Sequence, residues 1–292
     1  MGTERFCGFV LPGIIRQCEA VHKSGVKHMD EKTIRELAKK IFEADVNRKR
    51  IPPFTETSHP DMTIDDAYQI QLAALEMRIK AGQHVVGKKI GLTNVAVQKA
   101  RGISEPDYGY LMDVQMGHQD MPIKMSEMVS EPAVECELAF ILSKDLKGPG
   151  VTAGSVIEAT EGVVPAFEIV ERRFSPLSKS VIDSICDNAA SGKIILGAKL
   201  TPATNLDFRT IGLLIEKNGQ PLDMSCSAAV LGSPAESVAW LANKMAEYDV
   251  SLKRGEIIMS GSIGVMHSPK AGDCFYAHFG NDLGNVKVLF VG

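Results

Sequence analysis

The sequence predicts an α+β fold, with an N-terminal helical portion leading into a region of short strands. Helical periodicity is concentrated between Asp30 and Gly82. After Gly82 the texture changes to short apolar runs separated by Gly, Pro and Asp. Few helical patterns lie between those runs, which argues against an alternating βαβ arrangement.

The first helix is read from Ile34, Leu37, Ile41 and Phe42, which recur at the spacing of one helix face with Lys and Glu between them. Ile51-Pro52-Pro53 ends it. Thr63 and Asp66 resemble a capping box with Asp in place of Glu. Behind them Ile64, Tyr68, Leu72, Leu75 and Ile79 form a second stripe, closed by Gly82. Strands are expected at Val85–Ile90, Val134–Leu142, Val163–Val170, Ile194–Leu196, Gly212–Glu216, Ile257–Met259 and Val286–Val291. Asn218-Gly219 between apolar runs signals a hairpin. A later helix starts with Ser233 as N-cap, Pro234 in the first turn and Glu236 at the third position. It would bury Val238, Leu241, Met245 and Tyr248.

Composition excludes several function classes. With 45% hydrophobic and 23% charged residues the chain is an ordinary globular protein. Its 32 Lys+Arg against 36 Asp+Glu leave no basic footprint for nucleic acid. No apolar run approaches the roughly 20 residues of a membrane span. Cys7, Cys18, Cys136, Cys186, Cys226 and Cys274 are scattered without a C-x-x-C pair, so reduced thiols in the cytoplasm are expected. No Walker motif, G-x-G-x-x-G or G-x-S-x-G is present, so neither nucleotide binding nor a serine hydrolase has support. Residues 1–28 read as an extension of unknown origin, because Met29 opens a more regular sequence. A helical portion is expected over residues 29–84 and a second, strand-rich domain over residues 85–292.

Chemistry concentrates in Val134-Glu135-Cys136-Glu137-Leu138-Ala139-Phe140-Ile141-Leu142. Strand alternation puts Glu135 and Glu137 on one face, about 7 Å apart. A solvated outer face of an antiparallel sheet is one reading. The same face continues as Ala139 and Ile141, however, which is not a solvated pattern. Two carboxylates there repel unless a cation or proton lies between them, and Mg²⁺ or Mn²⁺ is the cation that such oxygens prefer. Glu168 sits in a second apolar run, Val163–Val170. It is either salt-bridged to Arg172 or Arg173, or a third ligand converging on the first two. Without His or Cys the trio disfavours zinc. Ser260 and Ser262, in a Gly-rich turn, are candidate hydrogen-bond donors to substrate oxygens. Of the histidines, His59, His84 and His278 could approach a cleft, but none has a motif.

The E-x-E strand followed by Glu168 in a Pro-Ala-Phe-Glu-Ile context resembles the fumarylacetoacetate hydrolase superfamily. Within it the chain resembles the branch of 2-keto-4-pentenoate hydratases and 4-oxalocrotonate decarboxylases. Gly87-Lys88-Lys89-Ile90-Gly91-Leu92-Thr93, Pro106-Asp107-Tyr108-Gly109, Asp187-Asn188-Ala189-Ala190, Leu231-Gly232-Ser233-Pro234 and Trp240-Leu241-Ala242-Asn243-Lys244 carry the likeness. It runs colinearly from about Asp30 to the C-terminus. The resemblance implies a mixed β-roll behind the helical portion and homo-oligomeric assembly. It implies Mg²⁺ or Mn²⁺ on Glu135, Glu137 and Glu168, with Lys89 and Asp107 facing the substrate and Arg173 in a substrate-binding position.

Within the branch, Asp107 in its Pro-Asp-Tyr-Gly context resembles the hydratases, since decarboxylases tend to carry an apolar residue there. Ala190 departs from the Ser that often follows Asp-Asn-Ala, a departure that resembles hydratases of longer dicarboxylate dienols. Glu171-Arg172-Arg173 departs from the more usual D-[SA]-R, keeping only its last Arg. The implied activity is water addition to a 2-hydroxy-2,4-dienoate, giving a 4-hydroxy-2-oxoacid in catabolism of aromatic compounds. Decarboxylation of a 2-oxo-3-hexenedioate is the alternative, followed by carbon–carbon hydrolysis of an acylpyruvate. A non-catalytic subunit associated with another enzyme of the same pathway is a further reading, which the intact trio disfavours.

Overall fold

The computed structural model describes residues 29–292. The expected extension over 1–28, with Cys7 and Cys18, lies outside the described residues. Helix α1 (Glu31–Val46) is capped by Asp30, whose side chain accepts the Thr33 N–H, and it buries Ile34, Leu37, Ala38, Ile41 and Ala44. A short α2 (Phe54–Thr57) precedes α3 (Ile64–Lys80). The capping box at α3 is present in both directions between Thr63 and Asp66.

Then follow β1 (Val85–Gly91), α4 (Val95–Arg101), β2 (Asp107–Met112), β3 (Met116–His118), β4 (Ile123–Lys124), β5 (Ala133–Leu142), α5 (Ala153–Ala159), β6 (Thr160–Val170), α6 (Val181–Cys186) and β7 (Lys193–Leu196). The chain closes with β8 (Gly212–Lys217), β9 (Gln220–Cys226), α7 (Pro234–Ala246), β10 (Ile257–Met259), β11 (Cys274–Phe279) and β12 (Gly284–Val291). Every expected strand is present within a few residues. The β8–β9 hairpin turns at Asn218 and Gly219, both with positive φ, the backbone that Asn-Gly tolerates. Ser233 stands at the N-cap of α7, but its side chain makes no capping bond. β2 and β11 were not expected: β2 hides behind the turn-like Pro106-Asp107, and β11 interleaves Tyr276 and His278 with its buried Phe275, Ala277 and Phe279.

Two mixed sheets result. One has the order β2-β1-β10-β5-β6-β7-β3 and the other β4-β12-β11-β8-β9. The edge strands β2 and β3 of the first sheet are joined by only Asp113–Gln115. That short link pulls opposite edges together, so the sheet curls. On one side it shares the main core with both long helices, α7 and the second sheet, through residues such as Leu37, Leu72, Phe140, Leu241 and Phe290. The inner side carries a smaller apolar cluster of Leu111, Ala139, Val164, Ala166, Ile194 and Met259. No helix among the described residues is long and apolar enough to cross a membrane.

Candidate metal centre

The three carboxylates are brought together by sheet register. β5 and β6 pair antiparallel with Glu135 opposite Glu168 and Glu137 opposite Ala166. Directly opposed residues share a face, and i, i+2 neighbours share it too. Glu135, Glu137 and Glu168 therefore converge, and each offers an oxygen within 4.8 Å of the others. Alternate residues Val134, Cys136, Leu138 and Phe140 point into the main core.

The outer-face reading fails on burial, since Glu137 is 1% and Glu168 0% exposed. Glu135, half-buried, marks the open side. A salt bridge from Glu168 to Arg172 or Arg173 is also absent: its ion-pair partner is Lys89, with Nζ 2.6 Å from Oε1. Neither Glu168 oxygen has an aligned hydrogen bond. Glu137 Oε2 accepts the Gly261 N–H at 2.8 Å. Gly261 has φ +106°, and a Cβ there would lie 2.3 Å from Thr93 Oγ1, so the loop reaches the carboxylate only as glycine. Buried, under-bonded carboxylates gathered this closely fit a hard divalent cation, whose ligands are oxygens.

The electrostatics follow. Burial, then repulsion from Glu168, raises the Glu135 carboxyl to about 7, against attraction from Lys89 and Arg172. Glu137 is pushed well up by burial and by both neighbouring carboxylates. Burial alone would lower the Lys89 ammonium, but Glu168, Glu135, Asp107 and Glu137 together raise it. Asp107 is raised by burial, partly offset by Lys89 and by the Ser184 hydroxyl, which donates to Oδ2 at 3.0 Å. Its Oδ1 is buried without a hydrogen bond.

Strand alternation puts the adjacent Lys88 and Lys89 on opposite faces. Both are 3% exposed, on opposite faces of β1. Lys89 joins the trio, whereas Lys88 pairs with Glu256 at 2.6 Å behind the sheet. The Ser260 hydroxyl is fully buried and unpartnered beside Gly261, and Ser262 donates to the Gly264 carbonyl at 3.1 Å.

Arg173 does not match the expected substrate-binding position. It is 2% exposed, and its guanidinium donates to the Asp187 carboxylate and to the carbonyls of Asp187 and Ser191. Its charge and three of its five N–H donors thus go to the scaffold. His59, His84 and His278 lie against Ser58, Asp113 and Glu216 instead of the trio. Sequence reasoning missed Ser184, the Gly261 N–H and the Ala189 carbonyl, which accepts from Lys89 Nζ at 2.7 Å. The Asp-Asn-Ala-Ala run was the available signal for the last of these, but backbone groups leave no residue-type signature.

Comparison with known proteins gives a consistent answer. The family model for the fumarylacetoacetate (FAA) hydrolase C-terminal region matches residues 85–288. A 2-hydroxypent-2,4-dienoate hydratase of Pseudomonas putida is 42% identical over 223 residues, 76% of this chain and 100% of that protein. A 2-hydroxyhexa-2,4-dienoate hydratase of Comamonas testosteroni is 39% identical, covering 84% of this chain and 93% of its own. Among solved structures, 4-oxalocrotonate decarboxylase from Pseudomonas putida G7, complexed with magnesium and adipate, superposes with a TM-score of 0.87 at 32% identity. That superposition covers 91% of this chain and 100% of the decarboxylase. Since likeness extends from the curled sheet through the helices ahead of it, the chain belongs to the fumarylacetoacetate hydrolase family, in the branch of 2-keto-4-pentenoate hydratases and 4-oxalocrotonate decarboxylases.

Proposed function

We propose that this protein is a hydro-lyase that uses Mg²⁺ or Mn²⁺ to add water to a 2-hydroxy-2,4-dienoate of the 2-oxopent-4-enoate type. The product is a 4-hydroxy-2-oxoacid, formed in the catabolism of aromatic compounds. The observation that carries this reading is the buried Asp107 carboxyl beside Lys89 and the trio, in a chain that matches two hydratases over 100% and 93% of their own lengths.

Glu135, Glu137 and Glu168 would hold the cation, which supplies Lewis acidity at the substrate's 2-oxygen and carboxylate. Lys89 adds positive charge where negative charge gathers on those oxygens. In the first stage the 2-hydroxyl loses its proton and C5 gains one, giving a 2-oxo-3-enoate. Asp107, whose carboxyl burial raises, donates that proton at C5. In the second stage hydroxyl from water adds to C4, and C3 takes up the equivalent of the proton that the 2-hydroxyl released. Asp107, now a carboxylate, accepts the proton of the attacking water. Ser260, its buried hydroxyl lacking a partner, donates a hydrogen bond to a substrate oxygen, and Ser262 does so on releasing the Gly264 carbonyl.

The finer description of the curled sheet as a β-roll, a cytoplasmic homo-oligomer, and association with another enzyme of the same pathway belong to the same proposal. So does a division at 84/85 into a helical portion and a catalytic region. Decarboxylation of a 2-oxo-3-hexenedioate is the second reading, favoured by the superposition on the decarboxylase. A spectrophotometric assay on 2-hydroxypenta-2,4-dienoate with Mg²⁺ or Mn²⁺, and with EDTA as control, tests both. Metal-dependent loss of dienol absorbance with a mass gain of one water is expected. Carbon dioxide release from 2-oxohex-3-enedioate without hydration would move the chain to the decarboxylases and remove the role of Asp107.

A further inference from the structure

Between Asp187 and Ser191 the backbone takes a form that L-residues resist. Asn188, Ala189 and Ala190 have φ of 55°, 51° and 55°, three successive left-handed residues without a glycine. Crowding between Cβ and the carbonyl disfavours each of them. Such backbone persists only where its surroundings over-determine it.

Two clasps do so here. Arg173 reaches across the turn, donating at 2.8 Å to the carbonyls of both Asp187 and Ser191 while pairing with the Asp187 carboxylate. From the other side the Asn188 side chain exchanges two 2.8 Å hydrogen bonds with the backbone of Tyr110 in β2. β2 makes room through Gly109, where a Cβ would stand 2.5 Å from the Asn188 carbonyl oxygen. The held turn presents the Ala189 carbonyl to Lys89 Nζ, which also lies 2.6 Å from Glu168 Oε1.

We propose that the Asp187–Ser191 turn is a positioning device for Lys89, with Arg173 and Asn188 as positioning residues that keep the Ala189 carbonyl on its ammonium group. One hydrogen of Lys89 is committed to that carbonyl and its charge is anchored at Glu168, which fixes the ammonium group beside the trio. The inference rests on the reading of Lys89 as a substrate-facing group. It also accounts for an arginine buried beside the site without touching the trio.

The test is Asn188→Ala, which opens one clasp without burying a charge, followed by pulse acetylation of primary amines read by mass spectrometry. Lys88, equally buried on the same strand, is the internal reference. Lys89 acetylation is expected to rise at least tenfold while that of Lys88 stays within twofold. At saturating Mg²⁺, kcat is expected to fall at least tenfold, with metal Kd and substrate KM within threefold. Equal rises at Lys88 and Lys89 would mean general loosening and would overturn the proposal, as would no change at either. Asn188→Gly, which permits the left-handed backbone while removing the amide, repeats the measurement if the alanine variant does not fold. Should the wild-type chain hydrate no dienoate, the proposed function fails, while the acetylation contrast still decides this inference.

Discussion

Burial and mutual repulsion push the carboxyls of Glu135 and Glu137 in the same direction, upward. In the metal-free protein the folded state therefore binds more protons than the unfolded chain between the ordinary Glu value near 4.5 and about 7. Stability from these groups is full below the lower value and is lost as pH rises through the upper one. Thermal melts of metal-free protein should thus fall between pH 5 and pH 8. The gain in Tm on adding Mg²⁺ should be larger at pH 8 than at pH 5.5, and a pH-independent gain would contradict this account. Glu137→Gln removes one charge while keeping the amide acceptor for Gly261. Since outer-shell partners of metal ligands are worth about 10–100-fold in affinity, loss of a ligand should weaken Mg²⁺ binding at least about 100-fold by calorimetry. The metal-free variant should melt at or above the wild type at pH 8, because a buried repulsion has gone.

Among the elements, β1 has two jobs, and its two lysines divide them. Lys89 faces the trio, while Lys88 faces the main core and closes on both oxygens of Glu256 at 2.6 and 2.7 Å. Breaking a buried pair by removing one charge costs about 3–5 kcal/mol, whereas replacing both partners with apolar residues is often neutral. Glu256→Gln should accordingly lower the unfolding free energy from urea titration by an amount in that range, and Lys88→Met with Glu256→Leu should recover most of it. A double variant as unstable as the single would show that the pair itself, not the orphaned charge, carries the stability. Register matters equally on the neighbouring pair. A one-residue slip of β5 against the core would send Glu135 and Glu137 into the main cluster and Cys136 and Leu138 to the site.

At the scale of the molecule, the helical portion and the sheets share one core. Leu37 and Leu72 lie in the same cluster as Phe140 and Phe290. Polar ties cross as well: Gln71 donates to the Tyr108 and Ile185 carbonyls, and Asp45 of α1 meets both Arg78 and Arg173. Residues 85–292 produced without the helices would expose that core face and lose the ties to β2 and α6. Such a fragment should give no cooperative thermal transition by circular dichroism. A sharp melt with intact Mg²⁺ binding would instead make the catalytic region independent.

Local physics made much of this legible in the sequence. Two-residue alternation put Glu135 and Glu137 on one face, the apolar run around Glu168 marked a charge needing a partner, and Thr63-x-x-Asp66 and Asn218-Gly219 specified a cap and a turn. Family likeness then implied one chemistry for the carboxylate trio, Lys89 and Asp107. Only the tertiary structure decided which charges meet. It set Glu135 against Glu168, gave Glu168 to Lys89 in place of an arginine, drew Arg173 into the Asp187–Ser191 turn, and aimed the Ala189 carbonyl at Lys89. The reason is range: alternation and capping depend on residues two to four apart, whereas strand neighbours and buried charge partners are selected by the packing of the whole chain.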